Sequence, residues 1–468
     1  MSPQKTVVVI GGGPGGYAAA IYLAHLGAKV TLVEKQYLGG TCLNVGCIPT
    51  KAFVEASSRY VAIREAAVFG LKVEGEVTVE GKKLARFKNN VVKQLRGGVG
   101  YLLSSAGVDV ISGVARLTGP DTVEVVLADG CSQSISADAI VLSTGSSEIE
   151  LPGLAFDGQY VLNSTHMLDM MKLPESIVII GGGVIGVEFA SIFSSFCKKV
   201  TIVELTASLL PTEDRETAET LREYMSQQGV EVLTETKAKS VSRKSEAGVT
   251  LQLENVSGQI SELTAEKVLV CVGRSANIKD IGLEAAGVSA AGKFIPTDER
   301  MRTNVKGIYA VGDITASPQL AHVAYHEARV AALDIMGKGD ETAEYTAVPY
   351  CIFSHPEVAR VGFTEEEARE RYRKVKVVKE SFFGNGKALI QQENIGFIKM
   401  LIDEDTGRLV GCSIIGPKAT ELIAEPSLAI KLGLDVASLS TNINTHPSLS
   451  ETIGETAAAA IGLKLHSV

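Results

Sequence analysis

A chain of 468 residues is too long for one ordinary core and predicts two to four domains. Its 45% hydrophobic and 21% charged content is that of a globular protein, and its net charge of −9 disfavours a nucleic-acid partner, which needs a basic face. No apolar run approaches the roughly 20 residues that span a bilayer, so no membrane partner and a cytoplasmic location are expected.

The first apolar run, residues 7–10, follows Lys5 but is too short for a signal peptide and runs straight into glycines, so it reads as a strand. After it, Gly11, Gly13 and Gly16 fill the positions of a Gly-x-Gly-x-x-Gly fingerprint. The first allows the tight turn, the second lets a pyrophosphate approach the backbone, and the third lets helix and strand lie close. The helix N-terminus then meets the phosphates with unpaired N–H groups and partial positive charge. Glu34 ends the next strand, where a carboxylate can accept both ribose hydroxyls.

Next comes Gly39-Gly-Thr-Cys-Leu-Asn-Val-Gly-Cys-Ile-Pro-Thr-Lys51, with cysteines at 42 and 47. Four intervening residues permit a disulfide if the chain makes about one turn. Pro49 fits the first turn of a helix, whose N-terminus would stabilise a Cys47 thiolate. The competing readings are a partial zinc site, for which nearby ligands are lacking, and a pair of buried structural thiols. No metal is expected. Cysteines 131, 197, 271, 351 and 412 read as buried, and the odd, scattered set argues against a secreted disulfide scaffold.

Helices are expected over 51–69 and 82–105, and short strands over 108–114, 123–127 and 139–142. The last strand ends in Thr144-Gly145, a crossover out of the first domain. The pattern then repeats at an offset of 170 residues: 177–186 matches 7–16 and 199–204 matches 29–34. The second copy carries Gly181, Gly183, Gly186 and Glu204, so two βαβ units and two dinucleotides are expected. No base follows Glu204 until Arg215, which favours NAD over NADP at the second site. Further strands are expected at 268–272, ending in Gly273-Arg274, and within 307–313. From about 346 the signals mix without a glycine fingerprint and read as an α+β domain with a mostly antiparallel sheet.

Thiol–disulfide chemistry at a cysteine pair calls for a base tuned near neutrality, and histidine is the first candidate. There are seven, at 25, 166, 322, 326, 355, 446 and 466, and the residues alone do not single out His446. Its neighbour Glu451 also reads as the far end of a capping box, Ser448-x-x-Glu451.

Over essentially its whole length the chain resembles the flavin-dependent pyridine nucleotide–disulfide oxidoreductases, and within them the members that oxidise dihydrolipoamide. The resemblance is carried by both fingerprints, the 39–51 segment, Glu188, Val272-Gly-Arg274, Tyr309-Ala-Val-Gly-Asp313, His355-Pro-Glu-Val-Ala359, Gly416-Pro-Lys-Ala-Thr-Glu421 and His446-Pro-Ser-Leu-Ser-Glu451. It implies an α/β fold of two Rossmann-like domains plus a C-terminal α+β interface domain. It also implies a division into 1–147 and 275–345 for FAD, 148–274 for NAD, and 346–468 for dimerisation. FAD would be held by Gly11, Gly13, Gly16, Glu34, Thr41, Lys51, Thr144, Gly145 and Asp313, the last on the ribitol. NAD would be held by Gly181, Gly183, Gly186, Glu188, Glu204 and Gly273. Cys47 is then the thiol against the flavin, Cys42 the interchange thiol that meets substrate, and Lys51 lies near the flavin, paired with Glu188. His446, oriented by Glu451, serves the disulfide of the partner subunit in a homodimer. The expected partners are lipoyl domains of 2-oxoacid dehydrogenase or glycine cleavage complexes.

Two positions depart from the pattern: Asn444 stands where a histidine is frequent, and Thr50 where a serine is. Glutathione-type reductases favour NADPH and differ around the His355 segment. Mercuric and large thioredoxin reductases carry a C-terminal redox pair, whereas the last cysteine here is Cys412. Soluble transhydrogenases lack one of the two active cysteines. A non-catalytic assembly subunit would retain FAD for stability alone.

Overall fold

The computed structural model describes residues 4–245 and 248–466. Near the N-terminus, β1 (Thr6–Ile10), α1 (Pro14–His25) and β2 (Lys29–Glu34) form a parallel βαβ unit. β1 is nearly continuous in buried Val and Ile because both faces of the sheet are covered. β1 and β2 sit in a seven-stranded sheet, between Ala139–Leu142 on one side and Asp109–Leu117 on the other. Ile308–Ala310 forms one edge, and the antiparallel strands Thr122–Leu127 and Ser132–Ser136 form the other. The chain thus leaves this sheet after residue 142 and returns to it at 308.

The second copy of the repeat builds a separate five-stranded parallel sheet, with Ser176–Ile180 at its centre. Its register repeats the first: Thr6 faces Lys29, and Ser176 faces Lys199, each shifted by 170 positions. The third glycines explain why. A Cβ on Gly16 would stand 1.8 Å from the Gly11 carbonyl oxygen, and one on Gly186 would stand 1.9 Å from that of Gly181. No side chain fits there, so the helix lies on the turn only because both residues are glycine. Gly11 and Gly181 also take φ values of +102° and +106°, which favour glycine. The two units are joined by a short antiparallel ribbon of Ser146–Glu148 with Arg274–Ala276.

From Tyr350 onward the strands form one five-stranded, wholly antiparallel sheet with helices on it, as the change of pattern at 346 implies. The helix expected over 51–69 is α3 (Cys47–Arg64), reached through the short α2 (Gly40–Val45), and a separate 3₁₀ turn covers Ala66–Phe69. α4 (Gly81–Ser105) fits the second expectation. The strand expected at 108–114 runs longer, Asp109–Leu117, because Ala115 and Leu117 continue its buried face. The strand at 268–272 stops at Val270, where Gly273 turns the chain with φ +110°.

One reading of the cysteines is corrected. Among the five read as buried, only Cys412 is fully so, while Cys131 is exposed and Cys197, Cys271 and Cys351 are half-buried. Cys131 follows a turn closed by Asp129, a local polar signal that outweighs the thiol's preference for the interior.

Candidate functional site

A single cleft of about 2590 Å³ runs across both βαβ units and reaches the C-terminal sheet. Its walls include Gly11, Gly13, Glu34, Thr41, Thr144, Gly145 and Asp313 from the first unit. They also include Gly181, Gly183, Glu188, Glu204 and Gly273 from the second. Cys42, Cys47 and Lys51 lie on the same walls, so one space brings together every expected cofactor-contacting residue except the two glycines that serve close helix contact. His446 and Glu451 are not on these walls.

The expected dinucleotide sites fit. Gly13 and Gly183 precede helices of 12 and 13 residues whose first turns carry no acid. A Cβ on Gly183 would meet nothing within 4 Å, and one on Gly13 only Gly40 Cα at 3.9 Å. That leaves bare backbone and a helix N-terminus facing open space, as a pyrophosphate requires. Glu34 accepts N–H groups of Gly12 at 2.6 Å and Gln36 at 2.7 Å, which fixes its carboxylate on the rim. Glu204 is held in the same way by Gly182 at 2.5 Å and Thr206 at 2.7 Å. Arg215 does not line the cleft, whereas Lys237 and Lys239, not anticipated from the sequence, do. Lys239 is paired with Glu254 at 3.1 Å.

The two cysteines face each other across the break between α2 and α3. Gly46 makes that break: a Cβ there would stand 3.0 Å from the Thr41 carbonyl. Cys47 is the first residue of the 18-residue α3 and Cys42 lies in α2. The two thiols lie close enough for each to shift the titration of the other. Interaction with Cys42, with help from the Lys51 charge, brings the exposed Cys47 down to about 7 against local desolvation of its sulfur and the opposing charge of Glu188. The same interaction, with burial, pushes Cys42 far above the ordinary thiol value. One sulfur of the reduced pair is therefore set up as thiolate while the other keeps its proton.

Lys51 Nζ contacts both oxygens of the buried Glu188 at 2.8 Å, joining the first unit to the second as expected. Glu188 also accepts the N–H of Phe353 at 3.0 Å, and Lys51 lies 4.5 Å from the centre of that ring. Asp313 accepts a hydrogen bond from Ser146 Oγ at 2.5 Å, and its turn is anchored where Gly312 N–H meets the buried Glu327 at 2.6 Å. Thr144 Oγ1 donates to the Asn277 carbonyl at 2.7 Å, tying the outgoing crossover to the returning one.

His446 is largely exposed, its side chain 81% accessible, and its Nδ1 lies 2.7 Å from Glu451 Oε1. Glu451 simultaneously accepts Ser448 N–H at 2.7 Å, while Ser448 Oγ accepts Glu451 N–H at 3.3 Å. One carboxylate thus ties the Ser448 turn to the imidazole, but the box does not cap the helix, which starts at Glu451 with Ser450 at its N-cap; against the opposing effect of burial, Ser448 and His446 hold the Glu451 pKa low. With Nδ1 tied to Glu451, Nε2 is the free basic nitrogen.

Two groups escaped the sequence reading. Tyr17, directly after Gly16, and Tyr325 join hydroxyls at 2.5 Å beside the cysteine pair. Burial, opposed by the Tyr325 hydrogen bond, holds the Tyr17 phenol above its usual range. Glu213, on the cleft wall, meets Arg360 of the C-terminal sheet at 3.1 Å, and burial pushes its carboxyl up to about 7. Nothing local marks either group, since both depend on elements brought together from distant parts of the chain.

Comparison with known proteins follows the same outline. The pyridine nucleotide-disulphide oxidoreductase family matches residues 5–328, and its dimerisation domain matches 348–457. The chain is 40% identical to a dihydrolipoyl dehydrogenase of Bacillus subtilis over 100% of both proteins. It is 40% identical to that of Geobacillus stearothermophilus over 99% of this chain and 98% of the relative. The crystal structure of LpdA from Mycobacterium tuberculosis superposes with a TM-score of 0.90 at 27% identity, covering 97% of this chain and 99% of that one. The HOCl-induced flavoprotein disulfide reductase RclA from Escherichia coli gives 0.85 at 29% identity, covering 97% and 99%. Two glycine-lipped dinucleotide sites opening on one facing pair of cysteines, on a scaffold shared end to end with these enzymes, place the chain in the pyridine nucleotide-disulphide oxidoreductase family, as an enzyme that uses FAD and NAD.

Proposed function

We propose that the protein oxidises the dihydrolipoamide of a lipoyl domain to lipoamide through a Cys42–Cys47 disulfide, with NAD as final acceptor, as a homodimer. The observation that carries this reading is the placing of Cys42 and Cys47 together across the α2–α3 break, on the wall of a cleft with room for two dinucleotides. FAD, when bound, supplies the two-electron carrier between the sulfur chemistry and NAD. Residues 1–147 and 275–345 would hold FAD, 148–274 NAD, and 346–468 the dimer contact.

The chain's own residues then have these tasks. His446 of the partner subunit removes a proton from the substrate dithiol, since His446 is absent from the cleft of its own chain. The substrate thiolate attacks Cys42 Sγ, and the Cys42–Cys47 bond breaks. Cys47 leaves as thiolate, favoured by the α3 N-terminus and Lys51. The second substrate thiol displaces Cys42, so one substrate disulfide forms while the enzyme disulfide becomes two thiols. Lys51, locked by Glu188, keeps a fixed positive charge beside that thiolate. Glu204 favours a free ribose hydroxyl over a phosphate, consistent with NAD. The odd, scattered cysteines accord with a cytoplasmic setting.

A panel assay tests the reading: NADH and NADPH, each against lipoamide and glutathione disulfide. Rapid NADH–lipoamide turnover is expected. A preference for NADPH with glutathione disulfide would overturn it.

A further inference from the structure

α4 is a basic helix in an acidic protein. Its 25 residues contain six bases and no acid, while the whole chain carries −9. Two of the bases are already satisfied: Lys83 pairs with Glu80 at 2.6 Å and the buried Lys88 with Asp169 at 2.9 Å. The other four, Lys82, Arg86, Lys93 and Arg96, are exposed and make no ion pair among the described residues. With Asn89 they follow the spacing i, i+4, i+7, i+11, i+14, which places all five on one helix face about 21 Å long. A solvated surface helix ordinarily mixes both signs. This one presents a single-sign stripe instead.

Its position gives the stripe a use. α4 lies against α2 and α3, the two helices that carry Cys42 and Cys47. Arg96 stands over the ring of Tyr37, 5.6 Å from its centre, and Tyr37 is on the cleft wall a few residues before Cys42. The dimerisation-domain match covers residues 348–457 and does not include α4. We propose that the Lys82–Arg86–Lys93–Arg96 stripe is a docking surface for an acidic carrier domain that presents the dithiol to Cys42. This deepens the function proposed above and rests on it. Positive charge beside the thiol site raises the encounter rate of a negatively charged carrier and leaves a small neutral substrate unaffected.

The test compares two substrates on the full-length FAD enzyme, wild type and Arg86→Glu/Lys93→Glu. One substrate is free dihydrolipoamide; the other is a purified, reduced lipoylated domain of net negative charge. In the double variant, kcat/KM for the acidic domain should fall at least about tenfold at low salt, and its salt dependence should flatten. Turnover of free dihydrolipoamide should stay within about twofold. Equal loss on both substrates, or no loss on either, would overturn the proposal. So would a variant that becomes monomeric by light scattering, since the stripe would then be a contact between copies. If the wild-type enzyme oxidises neither substrate, the proposed function itself falls, and this inference with it.

Discussion

Cys42 and Cys47 are chemically alike, but they occupy unlike positions. Cys47 opens a long helix beside a fixed ammonium group; Cys42 sits half-buried in the short helix before it. In the reduced enzyme Cys47 is therefore thiolate above about pH 7, and Cys42 stays protonated. The sign is that of a depressed acid: this stabilisation is complete above the unfolded thiol value of about 8.5 and is lost as pH falls through the folded value. Site-resolved iodoacetamide labelling of the reduced enzyme should show the Cys47 rate rising with a midpoint near 7. Lys51→Met should move that midpoint upward, because the Lys51 charge lowers it. A midpoint unchanged by Lys51→Met would contradict the assignment. Cys47→Ser should cut dithiol-dependent NAD reduction by about 10³-fold or more without loss of bound flavin, read from its visible absorbance.

The glycine-bearing helices show at the next scale what local sequence can specify. Gly183→Ala should fold normally, since its methyl meets open space, yet raise the KM for NAD about tenfold or more by occupying the path of the pyrophosphate. Gly186→Ala should instead lower stability, because its methyl would collide with the Gly181 carbonyl. Thermal melts beside NAD titrations separate the two outcomes; a normal KM in Gly183→Ala would place the cofactor elsewhere. Both units, the α2–α3 cysteine turn and the reciprocal Ser448–Glu451 bonds were legible because each is set by neighbours within a few residues. The break after Arg64 and the Tyr17–Tyr325 pair were not. They depend on which surfaces later elements cover, and tertiary contact overrides local preference there.

Across the whole molecule the binding units are tied to the C-terminal sheet by buried charge. Lys399 is almost fully buried and meets Asp214 at 3.1 Å, Glu216 at 3.2 Å and Glu365 at 2.7 Å. Such clusters are invisible to sequence reading, since residues 214, 365 and 399 meet only in the finished fold. Lys399→Met leaves Asp214 buried without its cation and should cost about 3–5 kcal/mol, measured by urea denaturation; Asp214→Asn added to it should recover part of the loss. The dimer makes a sharper claim. Cys42→Ser and His446→Gln chains should each be inactive alone. The mixture from their random co-expression should regain roughly a quarter of wild-type activity, because about half of the dimers are hybrids and one of the two composite sites in each hybrid keeps both groups. No recovery would mean that His446 acts within its own chain.

The central claim is that Cys42 and Cys47 cycle between disulfide and dithiol. The most direct measurement is mass-spectrometric thiol labelling of the oxidised FAD enzyme, denatured before and after one equivalent of NADH. Two new labels, one on each of these cysteines and none elsewhere, are the expected result. Labels unchanged at 42 and 47, or gained at another cysteine, would contradict it.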